Sequence, residues 1–123
     1  MKPRIIRKDP ADEFPTSENC HILEISNSPE DPQVSIARAR VEPGVSTRWH
    51  RLKGITERYY ILSGRGLVEI GELPPREVAP GDIVIIPPLC RQRISNTGTG
   101  ELVFLCICTP RFTSTAYEEL RSD

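Results

Sequence analysis

His50 and Glu57 are the residues whose types and spacing best suit chemistry in an enclosed site. They lie in the stretch from residue 44 to residue 64, which begins and ends with glycine. An imidazole beside a carboxylate can act as an acid–base or orienting pair, because the carboxylate fixes the tautomer of the ring and favours its protonated form. We expect the two residues on neighbouring strands joined by a turn at Lys53 and Gly54, from which both side chains could reach one point inside a sheet.

The position of Glu57 predicts which of its neighbours face the same way, because side chains on a strand alternate between two faces. Tyr59 is expected on the Glu57 face, where it would line the same cavity. Tyr60 and Leu62 are expected on the opposite face. His50, Glu57 and Tyr59 are therefore the candidate catalytic residues.

Two residues just before His50 are candidates for binding a ligand. Arg48 shares the face of His50 if the strand begins early enough. Trp49 is expected to pack or to lie at the rim of a pocket, where a tryptophan commonly stacks on a ligand.

A purely structural interpretation stays open for the same residues. His50 would then be an interior histidine with its hydrogen bonds satisfied, and Glu57 would pair with an arginine such as Arg48 or Arg58. Tyr59 would be an ordinary core residue. The residue types alone do not decide between this interpretation and a site.

Short apolar runs separated by glycine and proline are the elements that must position these side chains. This rhythm is typical of an all-β sandwich or barrel, and residues 34–42 and 102–108 are among the expected strands. Prolines among charged residues predict an extended N-terminal arm over residues 1–20, with at most one short strand around residues 4–7. A short C-terminal helix is predicted at residues 113–120, where a serine or threonine could cap it.

Arg38 and Arg40 share one face of the strand at residues 34–42. The usual position of strand arginines is the outer surface, where water solvates them. Pointing inward, they would bind an anion. Both orientations remain open.

Cys106 and Cys108 lie two residues apart on the last long strand and are expected to share its inner face with Leu102 and Phe104. Free cysteine behaves there as a small hydrophobe. A soft metal is the alternative, because two thiolates at this spacing can bind one.

Length and charge limit the kinds of partner. A chain of 123 residues suits one domain, and 16 basic against 17 acidic residues argue against a uniformly basic face for nucleic acid. No run approaches the roughly 20 apolar residues that span a bilayer. We expect a cytoplasmic protein with reduced thiols, a small-molecule ligand, and neither a nucleic-acid nor a membrane partner.

Two spaced motifs resemble those of the cupin superfamily, a group of small jelly-roll barrels also described as double-stranded β-helices. The first motif has glycine, two histidines, glutamate and glycine, and its positions fall on Gly44, His50, Leu52, Glu57 and Gly64. The second has glycine, proline, glycine, histidine and asparagine, and its positions fall on Gly81, Pro87, Leu89, Gln92 and Asn96. Seven of the ten positions are kept. The resemblance implies a single domain over residues 1–123 with a core barrel at about residues 33–109.

For a full member of the family, the resemblance implies a divalent ion such as Fe, Mn, Ni, Zn or Cu, held by three histidines and the glutamate. This chain keeps His50 and Glu57 and has Gln92 as a weak neutral ligand, so these three are the candidate metal ligands. Leu52 cannot bind a metal. An ion would be held weakly and completed by water, or would be absent. Without an ion, Gln92 could donate to an oxygen of a bound ligand.

Three classes of function follow from the resemblance. The first is an enzyme acting on a small organic molecule by isomerisation, oxygenation or lyase chemistry. The second is a ligand-binding or sensory module that retains the pocket without a metal or catalysis, and the third is a structural barrel. We also expect a homodimer, formed through the arm at residues 1–20 and the apolar strand at 102–108.

Overall fold

The computed structural model describes residues 1–121, which form eleven strands and two short 3-10 helices. The 3-10 helices are Pro10–Asp12 and Ser114–Ala116. The strands are β1 (Phe14–Pro15), β2 (His21–Ser26), β3 (Ser35–Val41), β4 (His50–Leu52), β5 (Thr56–Ser63), β6 (Gly66–Ile70), β7 (Arg76–Val78), β8 (Ile83–Ile86), β9 (Gln92–Asn96), β10 (Leu102–Thr109) and β11 (Tyr117–Glu119). No helix among residues 1–121 is long and apolar enough to cross a membrane.

The strands form two sheets that enclose one interior. The larger sheet has six strands in the order β1-β2-β3-β10-β5-β8, and the smaller has five in the order β11-β4-β9-β6-β7. The neighbouring strands pair antiparallel. This is the all-β double-stranded β-helix that the sequence predicted.

The interior is filled by alternate residues of the strands, because a strand buries every second side chain against the opposite sheet. On β5, Tyr59 and Ile61 are buried, whereas Tyr60 and Leu62 are exposed, as predicted. On β10, Leu102, Phe104 and Cys108 are buried in the same way. The predicted faces of both strands are confirmed.

The two ends of the chain differ from the sequence-based expectations. The C-terminal helix predicted at 113–120 is wrong, because Tyr117–Glu119 pairs antiparallel with His50–Leu52 as an added strand. Thr113 makes no capping hydrogen bond with its side chain. At the other end, residues 4–7 form no strand, which agrees with the expectation of at most one there, and the short N-terminal strand Phe14–Pro15 was not predicted.

His50 and Glu57 do not lie on neighbouring strands of one sheet, so that expectation is wrong. Strand β4 belongs to the smaller sheet and β5 to the larger. The turn between them passes from one sheet to the other at Gly54, whose φ of +70° lies in the left-handed region that favours glycine. The two side chains therefore approach each other across the interior.

The long strand β10 has no free edge, contrary to the expectation that residues 102–108 would expose one. It pairs with β3 on one side and with β5 on the other. One edge of the larger sheet is β8, where Ile83 and Ile85 are 55% and 62% exposed. This strand, and not β10, carries the exposed apolar edge.

Candidate functional site

A cavity of about 160 Å³ lies between the two sheets. It is smaller than the roughly 300–1,000 Å³ typical of drug-sized ligand pockets, so it suits a small molecule. Both sheets line it, together with the segment from Phe14 to Cys20. The ionisable side chains at neutral pH in this lining are His50 and the carboxyl groups of Glu18, Glu24 and Glu57.

His50 is the first residue of β4 and is 5% exposed. Its Nδ1 lies 2.8 Å from the carbonyl oxygen of Arg48. Because a carbonyl oxygen can only accept, Nδ1 carries the proton and donates it, which leaves the lone pair of a neutral ring on Nε2. Nε2 lies 3.9 Å from Oε2 of Glu18. The imidazole is thus oriented with its accepting nitrogen towards a carboxyl group of the cavity lining.

Tyr117 stacks on His50 and supports that orientation. The ring centroids are 5.2 Å apart and the planes are inclined by 24°. Tyr117 belongs to β11, the strand that the sequence predicted as a helix. Its buried hydroxyl has no hydrogen-bond partner within residues 1–121.

Glu57 is 8% exposed and faces the cavity from the opposite sheet. Burial raises its pKa to about 7, and Glu18 raises it too, whereas His50, Gln92 and Cys108 lower it. Its Oε2 is 3.8 Å from the Cys108 sulfur. Its Oε1 is buried without a hydrogen-bond partner in the described part of the chain, which is unusual for a buried carboxyl oxygen.

Tyr59 and Gln92 form a buried pair next to these groups. The Tyr59 hydroxyl donates to Oε1 of Gln92. Gln92 is 1% exposed and pairs directly with His50 across the β4–β9 ladder. Burial raises the pKa of Tyr59 well above its ordinary value, so the hydroxyl stays protonated at neutral pH and acts as a donor. The structure thus brings His50, Glu57, Tyr59 and Gln92 together.

Arg48 and Trp49 lie outside the cavity, and the condition for Arg48 to share the inward face of His50 is not met. Strand β4 begins only at His50, so the alternation that would turn Arg48 inward is not established. Thr47 points inward instead and bonds to the backbone of Ile94. Both predicted residues line a groove on the outer surface, where Arg48 lies 3.5 Å from a carboxylate oxygen of Glu119.

Arg38 and Arg40 also lie outside the cavity, on the outer face of β3. Arg40 binds Glu13 at 2.6 Å, and Arg38 lies 3.5 Å from the same carboxyl group. The inward residues of β3 are small, and Ala37 and Ala39 line the cavity. The open question of their orientation is settled, since neither arginine can bind an anion in the interior.

Glu18 is the cavity residue that sequence analysis missed. It lies in the segment expected to be an extended arm, and its backbone carbonyl accepts from the Arg48 amide at 3.2 Å. Burial raises the pKa of its carboxyl group, while His50 lowers it. No motif or alternation marked this position, because its approach to His50 depends on the N-terminal segment folding over the barrel.

The thiols of the cavity are poor nucleophiles and poor metal ligands as placed. Cys106 and Cys108 face the interior, and burial raises the pKa of both thiols well above the ordinary value. Buried protonated thiols are inert, because the thiolate is the form that reacts and binds metals. The packing interpretation of these cysteines agrees with the structure.

A divalent metal ion does not fit the predicted set of His50, Glu57 and Gln92. Oε1 of Gln92 already accepts a hydrogen bond from the Tyr59 hydroxyl, and a neutral amide oxygen is a weak metal ligand. Leu52, where the motif has a histidine, has no donor atom. Among residues 1–121, no group of three His, Cys, Asp or Glu side chains is arranged to hold an ion.

Residues 37–108 match the family model described as Cupin domain. An uncharacterized protein of Methanocaldococcus jannaschii is 38% identical over 78 residues, which cover 63% of this chain and 62% of that protein. The chain thus spans less than two thirds of the curated relative. The match to the family model confirms the resemblance drawn from the two motifs.

Solved structures share the fold. A Streptomyces nucleoside dehydratase, Pac13, superposes with a TM-score of 0.74 at 17% identity, covering 89% of this chain and 83% of that protein. A candidate sugar phosphate isomerase from Acidithiobacillus ferrooxidans is 34% identical, with a TM-score of 0.56, over 63% of this chain and 50% of its own length. The first similarity shows the fold alone. The second covers half of the protein matched.

Proposed function

The chain belongs to the cupin family, and on that premise we propose that its barrel binds a small organic molecule and transfers a proton on it without a metal. The observation that carries this proposal is Glu57. Its Oε1 is buried beside the cavity without a partner among residues 1–121, and burial raises its pKa to about 7. A carboxyl group with a pKa near the working pH can both take up and release a proton, which is what an acid–base catalyst requires.

Glu57, His50 and Tyr59 would each have a different role in the proton transfer. Glu57 in its ionised form would accept a proton from a carbon or oxygen atom of the ligand. The Nε2 atom of His50 is a second proton acceptor, because its Nδ1–H is committed to the Arg48 carbonyl. Returning the proton to an adjacent atom would be an isomerisation, whereas delivering it to a departing hydroxyl group would release water. Tyr59 is a positioning residue, since its hydroxyl donates to the side-chain amide of Gln92, a group that lowers the pKa of Glu57.

Two features of the solved neighbour Pac13 support this reaction class. It is a nucleoside dehydratase, so a barrel of this fold can perform an elimination. Its variants at a histidine and at two tyrosines were solved with uridine. The cavity of the present chain also combines a histidine with two tyrosines, His50, Tyr59 and Tyr117. This parallel in residue types supports proton transfer to or from a hydroxylated molecule.

The experiment that tests the proposal follows proton transfer in the chelated protein. The full chain, treated with a chelator, is incubated in D2O with uridine and with D-ribose, and proton NMR records deuterium uptake or loss of water. We expect turnover with at least one of the two, reduced about a hundredfold or more by Glu57→Gln. The matched control is Glu30→Gln, whose side chain is 75% exposed and pairs with Arg4. A rate that requires an added divalent ion, or that survives Glu57→Gln unchanged, would refute the proposal.

A ligand-binding module without catalysis is the second candidate. The cavity, together with the Tyr117 hydroxyl that has no partner within residues 1–121, favours ligand binding whether or not a reaction follows. If a probe shifts the NMR signals of cavity residues but no turnover is seen with it, this second function replaces the first. We also propose a cytoplasmic location, a reducing compartment in which the four cysteines would stay as free thiols.

A further inference from the structure

The cavity has a charge pattern that selects among ligands. Of the described residues that line it, three are glutamates and one is histidine, and none is lysine or arginine. The arginines of the adjoining strands point outward, where Arg40 binds Glu13 and Arg51 binds Glu118. A phosphate or carboxylate inside the cavity would therefore meet three carboxyl groups and no lysine or arginine of the described lining.

The carboxyl group of Glu18 lies close to His50, one of the proposed proton acceptors. Its Oε2 lies 3.9 Å from Nε2 of His50, and its side chain is only 27% exposed. The segment that carries it is fixed, because the Glu18 amide donates to the Thr16 hydroxyl and the Glu18 carbonyl accepts from the Arg48 amide. In its ionised form this carboxyl group is weakly screened by its partly buried surroundings, so it repels an anion over a few ångströms.

Two polar atoms of the lining have no partner within residues 1–121, and both are buried. They are the Oε1 atom of Glu57, which can accept a hydrogen bond, and the Tyr117 hydroxyl, which can donate one. Glu57 is 8% exposed, so water outside the barrel does not satisfy it. Hydroxyl groups of a ligand suit atoms of both kinds, because a hydroxyl group donates as well as accepts.

Aromatic side chains supply the walls around these atoms. Phe14, Tyr59, Phe104, Phe112 and Tyr117 all line the cavity. Their rings suit the carbon skeleton or flat ring of a small ligand, and their faces attract cations and repel anions.

We infer that the ligand of this cavity is a small hydroxylated molecule that carries no anionic group, and that Glu18 is the residue that excludes phosphorylated or carboxylated counterparts. The inference rests on the proposed function, since it concerns the same cavity. It also separates this chain from an enzyme that acts on a sugar phosphate, the class to which the partly similar Acidithiobacillus protein is assigned.

Matched pairs of probes test the inference. Uridine is compared with uridine 5′-monophosphate, and D-ribose with D-ribose 5-phosphate, by titrating the full chain and following the NMR signals of His50 and Tyr117. We expect the uncharged member of at least one pair to bind about tenfold or more tightly than its phosphate. Glu18→Gln keeps the size of the side chain and should narrow that preference to about threefold or less, whereas Glu30→Gln should leave it unchanged.

Each outcome has a defined meaning. Equal or tighter binding of the phosphates at these signals would overturn the inference, as would the failure of both uncharged probes to shift them. If Glu18→Gln does not reduce the preference for uncharged probes over their phosphates, Glu18 is not the residue that excludes anionic ligands. Turnover of a phosphorylated probe would refute the charge selection while leaving the proton-transfer function in place. Selective binding of uncharged probes without turnover would support the charge selection and refute the proton-transfer function.

Discussion

The buried carboxyl group of Glu57 should make the stability of this protein depend on pH in a way that one substitution removes. Its pKa rises from an ordinary 4.5 to about 7 on folding, chiefly because of burial. The folded state therefore binds this proton more tightly than the unfolded state does. The stability contributed by the protonated group is fully present below about pH 4.5 and is lost progressively as the pH rises to about 7.

The size of this stability change follows from the pKa shift of Glu57, because each pKa unit corresponds to about 1.4 kcal/mol of unfolding free energy. Between about pH 5 and pH 8, Glu57 should lower the free energy of unfolding by about 2 to 3 kcal/mol. Glu57→Gln has no charge to bury and should lack this decline. Urea unfolding at several pH values across this range measures the free energy for both proteins, and their difference should change by that amount.

The comparison uses the change with pH rather than the absolute stability, because a buried glutamine can also lose hydrogen bonds. Glu30→Gln is the control, since its exposed carboxyl group should leave the pH profile of the wild type in place. Parallel profiles for wild type and Glu57→Gln would show that Glu57 titrates at its ordinary pKa. The acid–base assignment would then lose its physical basis.

Three further predictions concern the fold and its assembly. Leu89 occupies the position where the second motif has glycine, with a φ of 65° and 55% exposure, so Leu89→Gly should stabilise the protein by about 1 kcal/mol in urea unfolding. Gly64→Ala should destabilise it by about 2 kcal/mol or more, because a Cβ atom there would lie 2.4 Å from the Glu101 carbonyl oxygen. A lower stability of Leu89→Gly, or an unchanged stability of Gly64→Ala, would contradict these arguments. We propose that the chain forms a homodimer through exposed apolar residues of β8 and β5, which are Ile83, Ile85, Tyr60 and Leu62. In sedimentation experiments, Ile85→Lys should be monomeric at concentrations where the wild type is dimeric. A monomeric wild type would contradict the proposal.

Local patterns predicted the strands and their faces well. The alternation of residue types placed Tyr59 inward and Tyr60 outward, and the strand predicted at residues 34–42 contains β3. These features depend on neighbours along the chain, which the sequence displays directly. The glycine at position 54 likewise marked a turn, because its positive φ is a local requirement.

Pairing between distant segments could not be predicted in the same way. Alternation does not show which sheet a strand joins, so His50 and Glu57 were expected on adjacent strands although they face each other across the interior. Residues 117–119 form a strand because β4 offers a free edge, which local helix signals do not reveal. Glu18 enters the site through the same kind of tertiary contact.

A measurement of bound metal directly tests the central claim, which is that this barrel transfers protons without a metal. The full chain is loaded in turn with Fe, Mn, Ni, Zn and Cu ions, washed, and analysed for bound metal. We predict less than about a tenth of an equivalent of each ion, because Gln92 bonds to Tyr59 and Leu52 provides no ligand. Retention of close to one equivalent of any of these ions, lost on His50→Ala, would contradict the account.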